Sequence, residues 1–191
     1  SSPKIVACTG ASTCKLGLCL SRGLSGAISK KLSHANLPDT TIRISGCPNS
    51  CANHYIAEIG FQGKAKRVNG RLMPCYDILI GAQTIEGNAY LAQRVGTVPA
   101  KKIPGLLAEA VKDGHIEKET LKNLVSKYSQ FDRELSMPDD YYYDWDSEKP
   151  FSLEGRGPGE CGAGVMDIIK LDIDEAKDAI KTKPVSNENI Y

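Results

Sequence analysis

The cysteines are the residues whose types and spacing could do chemistry. The chain has seven, at Cys8, Cys14, Cys19, Cys47, Cys51, Cys75 and Cys161, and five of them fall within the first 51 positions. Cys8 and Cys14 are spaced C-x5-C, and Cys47 and Cys51 are spaced C-x3-C. Four thiolates are a usual ligand set for zinc or for a 4Fe-4S cluster. Zinc knuckles favour gaps of two to four residues, whereas a gap of five lined by Gly10, Ala11 and Ser12 suits a bulkier, cuboidal partner. Small residues let backbone N–H groups approach cluster sulfurs, which tunes their potential. An odd number of cysteines and the lack of a signal-peptide pattern argue against a disulfide scaffold.

The elements that must position these thiols follow from hydrophobic patterning. Residues 4–7 read as a short strand leading into the Cys8–Cys14 loop, where Gly10 allows a tight turn. Apolar residues recur at helical spacing from Leu16 through Leu20, Leu24 and Ile28 to Leu32, which predicts a helix over 16–32 that contains Cys19. Thr41–Ser45 alternates and is β-branched, which predicts a strand. The turn that follows, Gly46 to Cys51, could open a helix at Pro48. Each cysteine pair therefore sits at the end of a strand, and two strand ends could deliver four thiolates to one small volume.

Further along, residues 55–61 and 64–68 predict strands, and Asn69-Gly70 predicts a hairpin into a strand over 72–80. Residues 98–103 read as a connector, with helices predicted over 104–112 and 118–128. From residue 129 the chain is acidic and Tyr-rich, and Tyr141–Tyr143 reads as a docking strap on the domain surface rather than a stacking platform for bases. Residues 165–180 regain apolar content, and Cys161 lies in a glycine-rich loop. Cys19 and Cys75 read as small buried thiols.

Composition narrows the function classes. Hydrophobic residues make up 41% and charged residues 25%, the balance of a soluble globular domain. A net charge of +1 provides no field for a polyanion, so nucleic acid is not an expected partner. No apolar run approaches the roughly 20 residues that span a bilayer, and a cytoplasmic location is expected.

Two spacings and their context, ACTGASTC and then SGCPNSCANHYIAEIGFQG, resemble the signature of the sirohaem-dependent sulfite and nitrite reductases. YDILIGA and RVGTVPAKKIPGLLAEAV are similar to that family as well, so the resemblance covers roughly residues 5–128. It implies that Cys8, Cys14, Cys47 and Cys51 ligate a 4Fe-4S cluster. It implies that the Cys51 sulfur also binds the sirohaem iron, bridging the two cofactors. Asn49 and Asn53 flank Cys51 and are expected to hydrogen-bond sulfur or a sirohaem carboxylate. His54 could face the cofactor. Arg43, Lys64, Lys66, Arg67 and Arg71 could line it, since sirohaem carries many carboxylates.

The implied activity is six-electron reduction of sulfite to sulfide or of nitrite to ammonia, with ferredoxin or a flavoprotein as electron donor. In the family, Arg and Lys residues ahead of the first cysteine pair handle the substrate anion, and only seven residues precede Cys8 here. The chain is therefore expected to be the C-terminal, cofactor-binding part of such an enzyme, partnered by a missing N-terminal half and inactive alone. The alternatives are an iron–sulfur electron carrier or accessory cluster-binding domain without activity and, further off, a structural zinc module. The expected fold is α+β, a mixed or antiparallel sheet with packed helices and the cluster loops at strand ends. Residues 1–128 are expected to form the cofactor-binding domain and 129–191 a C-terminal extension.

Overall fold

A computed structural model describes residues 2–37, 40–131 and 136–156. The expectations for Cys161 and residues 165–180 lie outside the described residues.

The fold is α+β around a mixed five-stranded sheet in the order β1-β2-β3-β4-β7. Its strands are β1 (Lys4–Ala7), β2 (Thr41–Ser45), β3 (Ile59–Val68), β4 (Arg71–Ile80) and β7 (Gln93–Pro99). β1, β2 and β3 run parallel, while β4 and β7 are antiparallel to their neighbours. Among the described residues there are also two small hairpins, β5 (Gln83–Ile85) with β6 (Asn88–Tyr90), and β8 (Val111–Lys112) with β9 (His115–Ile116).

One face of the sheet is apolar. Ile42, Ile44, Phe61, Tyr76, Ile78 and Val98 pack there against helices α1 (Ser21–Lys31), α2 (Ile103–Glu109) and α3 (Lys118–Tyr128). Leu24 and Ile28 of α1, Leu106 and Leu107 of α2, and Leu121 and Val125 of α3 fill that core and are 0–2% exposed. Burial of this size is the main force holding the strands in place. Asn69 and Gly70 have φ of 48° and 78°, the pair of positive values that the β3–β4 turn requires. Glu117 caps α3 by accepting from the N–H groups of Glu119 and Thr120.

Several sequence expectations are corrected. Helix α1 starts at Ser21, not near residue 16. The backbone before it is turned inward, because the Cys19 carbonyl accepts from Ala11 and the Leu18 and Cys19 amides donate to the Gly46 carbonyl. Cys19 therefore lies in a loop rather than in the helix. Pro48 opens no helix, since Ser50 and Asn53 adopt left-handed φ of 57° and 56° and bend the chain away. Residues 55–58 are not strand, as His54–Ile56 form a 3-10 turn before β3 begins. β7 extends into the predicted connector, and α2 ends early because Asp113-Gly114 makes the tight turn of the β8–β9 hairpin.

The Tyr-rich segment packs back on the sheet. Asp139–Tyr142 form a 3-10 turn, and Tyr142 is buried with Val68, Met73, Cys75 and Phe131 in a small second core. Tyr142 is thus an interior anchor rather than a surface ring, and the Arg71 guanidinium lies 3.9 Å above it.

Candidate cluster site

β1 and β2 are adjacent and parallel, with Ala7 paired to Ile44. Their C-terminal ends therefore emerge side by side. Cys8 is the first residue beyond β1, and Cys47 is the second beyond β2. The topology converts two distant sequence motifs into neighbouring loops.

Glycines let these loops touch backbone to backbone. Gly10 has φ of 58°, and a Cβ there would meet the Cys19 carbonyl at 2.5 Å. A Cβ on Gly46 would meet that same carbonyl at 2.7 Å and Gly10 Cα at 2.9 Å. Only hydrogen fits at either position. The loops are then cross-linked: Cys8 N–H donates to the Ile44 carbonyl at 3.0 Å, and Gly46 N–H donates to Cys8 Sγ at 3.1 Å. Ser21 Oγ donates to the Cys8 carbonyl at 2.8 Å and sits 3.4 Å from Cys8 Sγ.

No disulfide joins the described cysteines. Cys8 and Cys14 are half-buried, Cys47 is buried and Cys51 is exposed. Burial pushes the Cys47 thiol above its ordinary value, opposed by the Asn49 backbone N–H, and the charges of Cys51, Cys8 and Cys14 push it further up. The other three thiols of the two motifs thus all bear on Cys47. Among the described residues, no three His, Cys, Asp or Glu side chains converge as ligands of a single ion. Asn49 and Asn53 are both exposed beside Cys51.

The two other described cysteines, Cys19 and Cys75, are buried. Cys19 is fully buried, and its thiol donates to the Lys64 and Cys75 carbonyls at 3.6 Å. Burial raises its pKa well above the ordinary thiol value. Cys75 is fully buried in β4, and its thiol is pushed up to about 12, first by burial.

The sheet face opposite the helices carries a polar row that sequence reading missed. Register aligns Ser45, Gln62, Asp77 and Thr97 across four strands. Ser45 Oγ accepts from Ala52 N–H at 3.2 Å, bracing the turn that holds Cys51. Gln62 Oε1 lies 3.1 Å from His54 Nε2 and accepts from the Tyr55 hydroxyl at 3.1 Å. His54 is fully buried and its Nδ1 has no partner. Burial lowers its pKa, although Gln62 opposes the shift, so the ring is neutral near pH 7. Asp77 pairs with Arg94 at 3.0 Å and Lys64 at 3.2 Å and accepts from the Thr97 hydroxyl. The one available sequence signal was alternation of Gln62, Lys64 and Lys66 along β3.

The basic residues expected to line a cofactor are engaged within the protein. Arg43 donates to the Ala52 carbonyl, Lys64 pairs with Asp77, and Arg67 donates to the Gly70 carbonyl. Lys66 lies over the Phe131 ring, and Arg71 pairs with Asp139.

No family model matches the chain. It is 31% identical over 107 residues to the ferredoxin–nitrite reductase of Synechococcus elongatus, covering 54% of this chain and 21% of that protein. It is 42% identical over 79 residues to the sulfite reductase [NADPH] hemoprotein beta-component of Methylobacterium nodulans, covering 38% of this chain and 13% of that protein. Among solved structures, Mycobacterium tuberculosis NirA overlaps 69% of this chain and 26% of its own, with a TM-score of 0.47 and 24% identity. The chain spans about a fifth or less of the length of these curated relatives. Within that span, the chain is similar in sequence to sulfite and nitrite reductases.

Proposed function

We propose that this chain is the cofactor-binding part of a sulfite or nitrite reductase. Cys8, Cys14, Cys47 and Cys51 hold a 4Fe-4S cluster, and the Cys51 sulfur also ligates sirohaem iron. The observation that carries the reading is the pairing of parallel β1 and β2, which brings both cysteine loops to one end of the sheet. The electrostatic influence of Cys51, Cys8 and Cys14 on the Cys47 thiol supports it.

When bound, the two cofactors supply one-electron transfer to an oxyanion that takes six electrons in all. This chain's own residues do the holding. Gly46 N–H and Asn49 N–H point at the sulfurs of Cys8 and Cys47 and stabilise negative charge there. Cys51 is the exposed member of the set, so its sulfur is the one with room for a second metal. Asn49 and Asn53 stand at the rim beside it, placed to donate to a sirohaem carboxylate. The cofactor-binding part is residues 1–128, with an extension following.

The substrate-handling Arg and Lys residues belong, by the resemblance, to a region outside this stretch, so the stretch alone does not turn over. Ferredoxin or a flavoprotein is the proposed donor, sulfite or nitrite the substrate, and the cytoplasm the location. No helix among the described residues is long and apolar enough to cross a membrane.

The test is an optical spectrum after anaerobic reconstitution with iron and sulfide, followed by sirohaem and the complementary part of a relative. A sirohaem Soret band that is lost in Cys51→Ser supports the reading. A cluster spectrum with no sirohaem uptake supports the alternative, an electron carrier or accessory domain. A colourless zinc-loaded chain overturns both.

A further inference from the structure

Residues 138–156 run across the molecule as a strap and end against the Cys8–Cys14 loop. Asp144 is 3% exposed, and its Oδ2 accepts from Leu20 N–H at 2.7 Å, its Oδ1 from Trp145 N–H at 2.8 Å. Arg156 donates from an Nη to the Ala11 carbonyl at 2.9 Å. Ala11 lies midway between Cys8 and Cys14, and its own N–H donates to the Cys19 carbonyl at 2.9 Å. The Ala11 amide is thus gripped on both sides, by the strap at its carbonyl and by residue 19 at its nitrogen. The next amide along, Leu20, is gripped by the strap again.

Trp145 and Phe151 of the strap are half-buried and pack against the main apolar core. A cleft of about 370 Å³ opens between Leu18, Leu20 and the strap residues Asp144, Phe151 and Arg156. Beside the cleft, two charge-assisted hydrogen bonds, Leu20 N–H to Asp144 and Arg156 to the Ala11 carbonyl, tie the strap to the loop region. Trp145, next to Asp144, is held by contacts of its own. Trp145 Nε1 donates to the Ala100 carbonyl at 2.9 Å, and Lys101 Nζ lies 4.3 Å above the Trp145 ring. A Cβ on Gly23 would strike the Trp145 carbonyl oxygen at 2.5 Å, so α1 and the strap meet backbone to backbone.

We propose that the strap is a clamp that keeps the Cys8–Cys14 loop in its cluster-receiving shape, with Arg156 and Asp144 as its positioning residues. The proposal rests on the cluster reading for its purpose but not for its test. Without Arg156, the Ala11 carbonyl loses its anchor, and the loop opens more often with Cys8 and Cys14 aboard.

The test is alkylation of the full-length, iron-free chain under native conditions, read cysteine by cysteine by mass spectrometry. Cys75, buried in the sheet, reports global unfolding. Arg156→Gln is expected to label Cys8 and Cys14 about tenfold faster, the equivalent of one lost charged hydrogen bond, with Cys75 unchanged. Asp144→Asn is expected to do the same, and Arg156→Lys to restore much of the protection. Labelling of Cys8 and Cys14 at the parent rate in Arg156→Gln overturns the clamp. So does a parallel rise at Cys75, which would mark general destabilisation. No metal enters this assay, so its failure is distinct from failure of the cluster assignment.

Discussion

The backbone N–H of Gly46 donates to the sulfur of Cys8 across 3.1 Å, joining the end of β2 to the first residue beyond β1. The bond exists because the two strands are parallel neighbours and because Gly46 has no side chain. A Cβ there would lie 2.7 Å from the Cys19 carbonyl. Gly46→Ala is therefore expected to cost about 2–3 kcal/mol through forced backbone displacement. Denaturant unfolding of the iron-free chain checks this, and an unchanged midpoint would show that the loops have slack.

Cys19 separates structural from ligating cysteines. It is buried to 0% exposure, and its thiol is engaged by two carbonyls. Cys19→Ala is expected to lose about 1–2 kcal/mol of stability while leaving iron content intact. Iron loss in a variant that still folds would enlarge the ligand set.

Asp77 ties β3, β4 and β7 together on the polar face. Burial raises its pKa, but bonds from Thr97, Arg94 and Lys64 outweigh that and leave it below the ordinary 3.8. A lowered folded pKa contributes stability that is present above 3.8 and is lost as pH falls through the folded value. Both cationic partners are about half exposed, so the expected cost of Asp77→Asn is about 2 kcal/mol at neutral pH. The variant's unfolding midpoint is expected to depend less on pH below 4 than the parent's.

Glu117 gives a second acid-sensitive point. Hydrogen bonds from the Thr120 side chain and from the Thr120 and Glu119 N–H groups hold its carboxyl at about 2, below the ordinary 4.5. Its contribution to α3 is full above 4.5 and fades toward about 2. Protection of the first-turn amides of α3, taken relative to their intrinsic exchange rate at each pH, is expected to fall as pH drops across that window. Glu117→Gln is expected to exchange faster at neutral pH and to lose the dependence.

The parts of this fold legible in the sequence are those fixed by local chemistry. Asn69-Gly70 names its own turn, Thr41–Ser45 alternates as a strand, and α3 runs over Lys118–Tyr128 as its periodicity predicts. The misread parts answer to distant partners. Leu16 and Leu20 keep helical spacing, yet the chain there is turned inward by bonds to Gly46 and Ala11. β7 was hidden by Gly96 and Pro99, which an edge strand tolerates. At the site, the cysteine spacing was visible because it lies within two short loops. The row of Ser45, Gln62, Asp77 and Thr97 was not, because only strand register assembles it. The Tyr-rich strap was legible as a strap, but its bond to the cysteine loop was not, because Arg156 reaches Ala11 from 145 positions away.

The most direct test of the central claim is a count of iron and acid-labile sulfide per chain after anaerobic reconstitution. The count is made for the parent, for Cys→Ser variants at Cys8, Cys14, Cys47 and Cys51, and for Cys19→Ser and Cys75→Ser. The account predicts about four of each per parent chain, marked loss in each of the first four variants and retention in the last two. Full retention in any of the first four, or iron binding without sulfide, would contradict it.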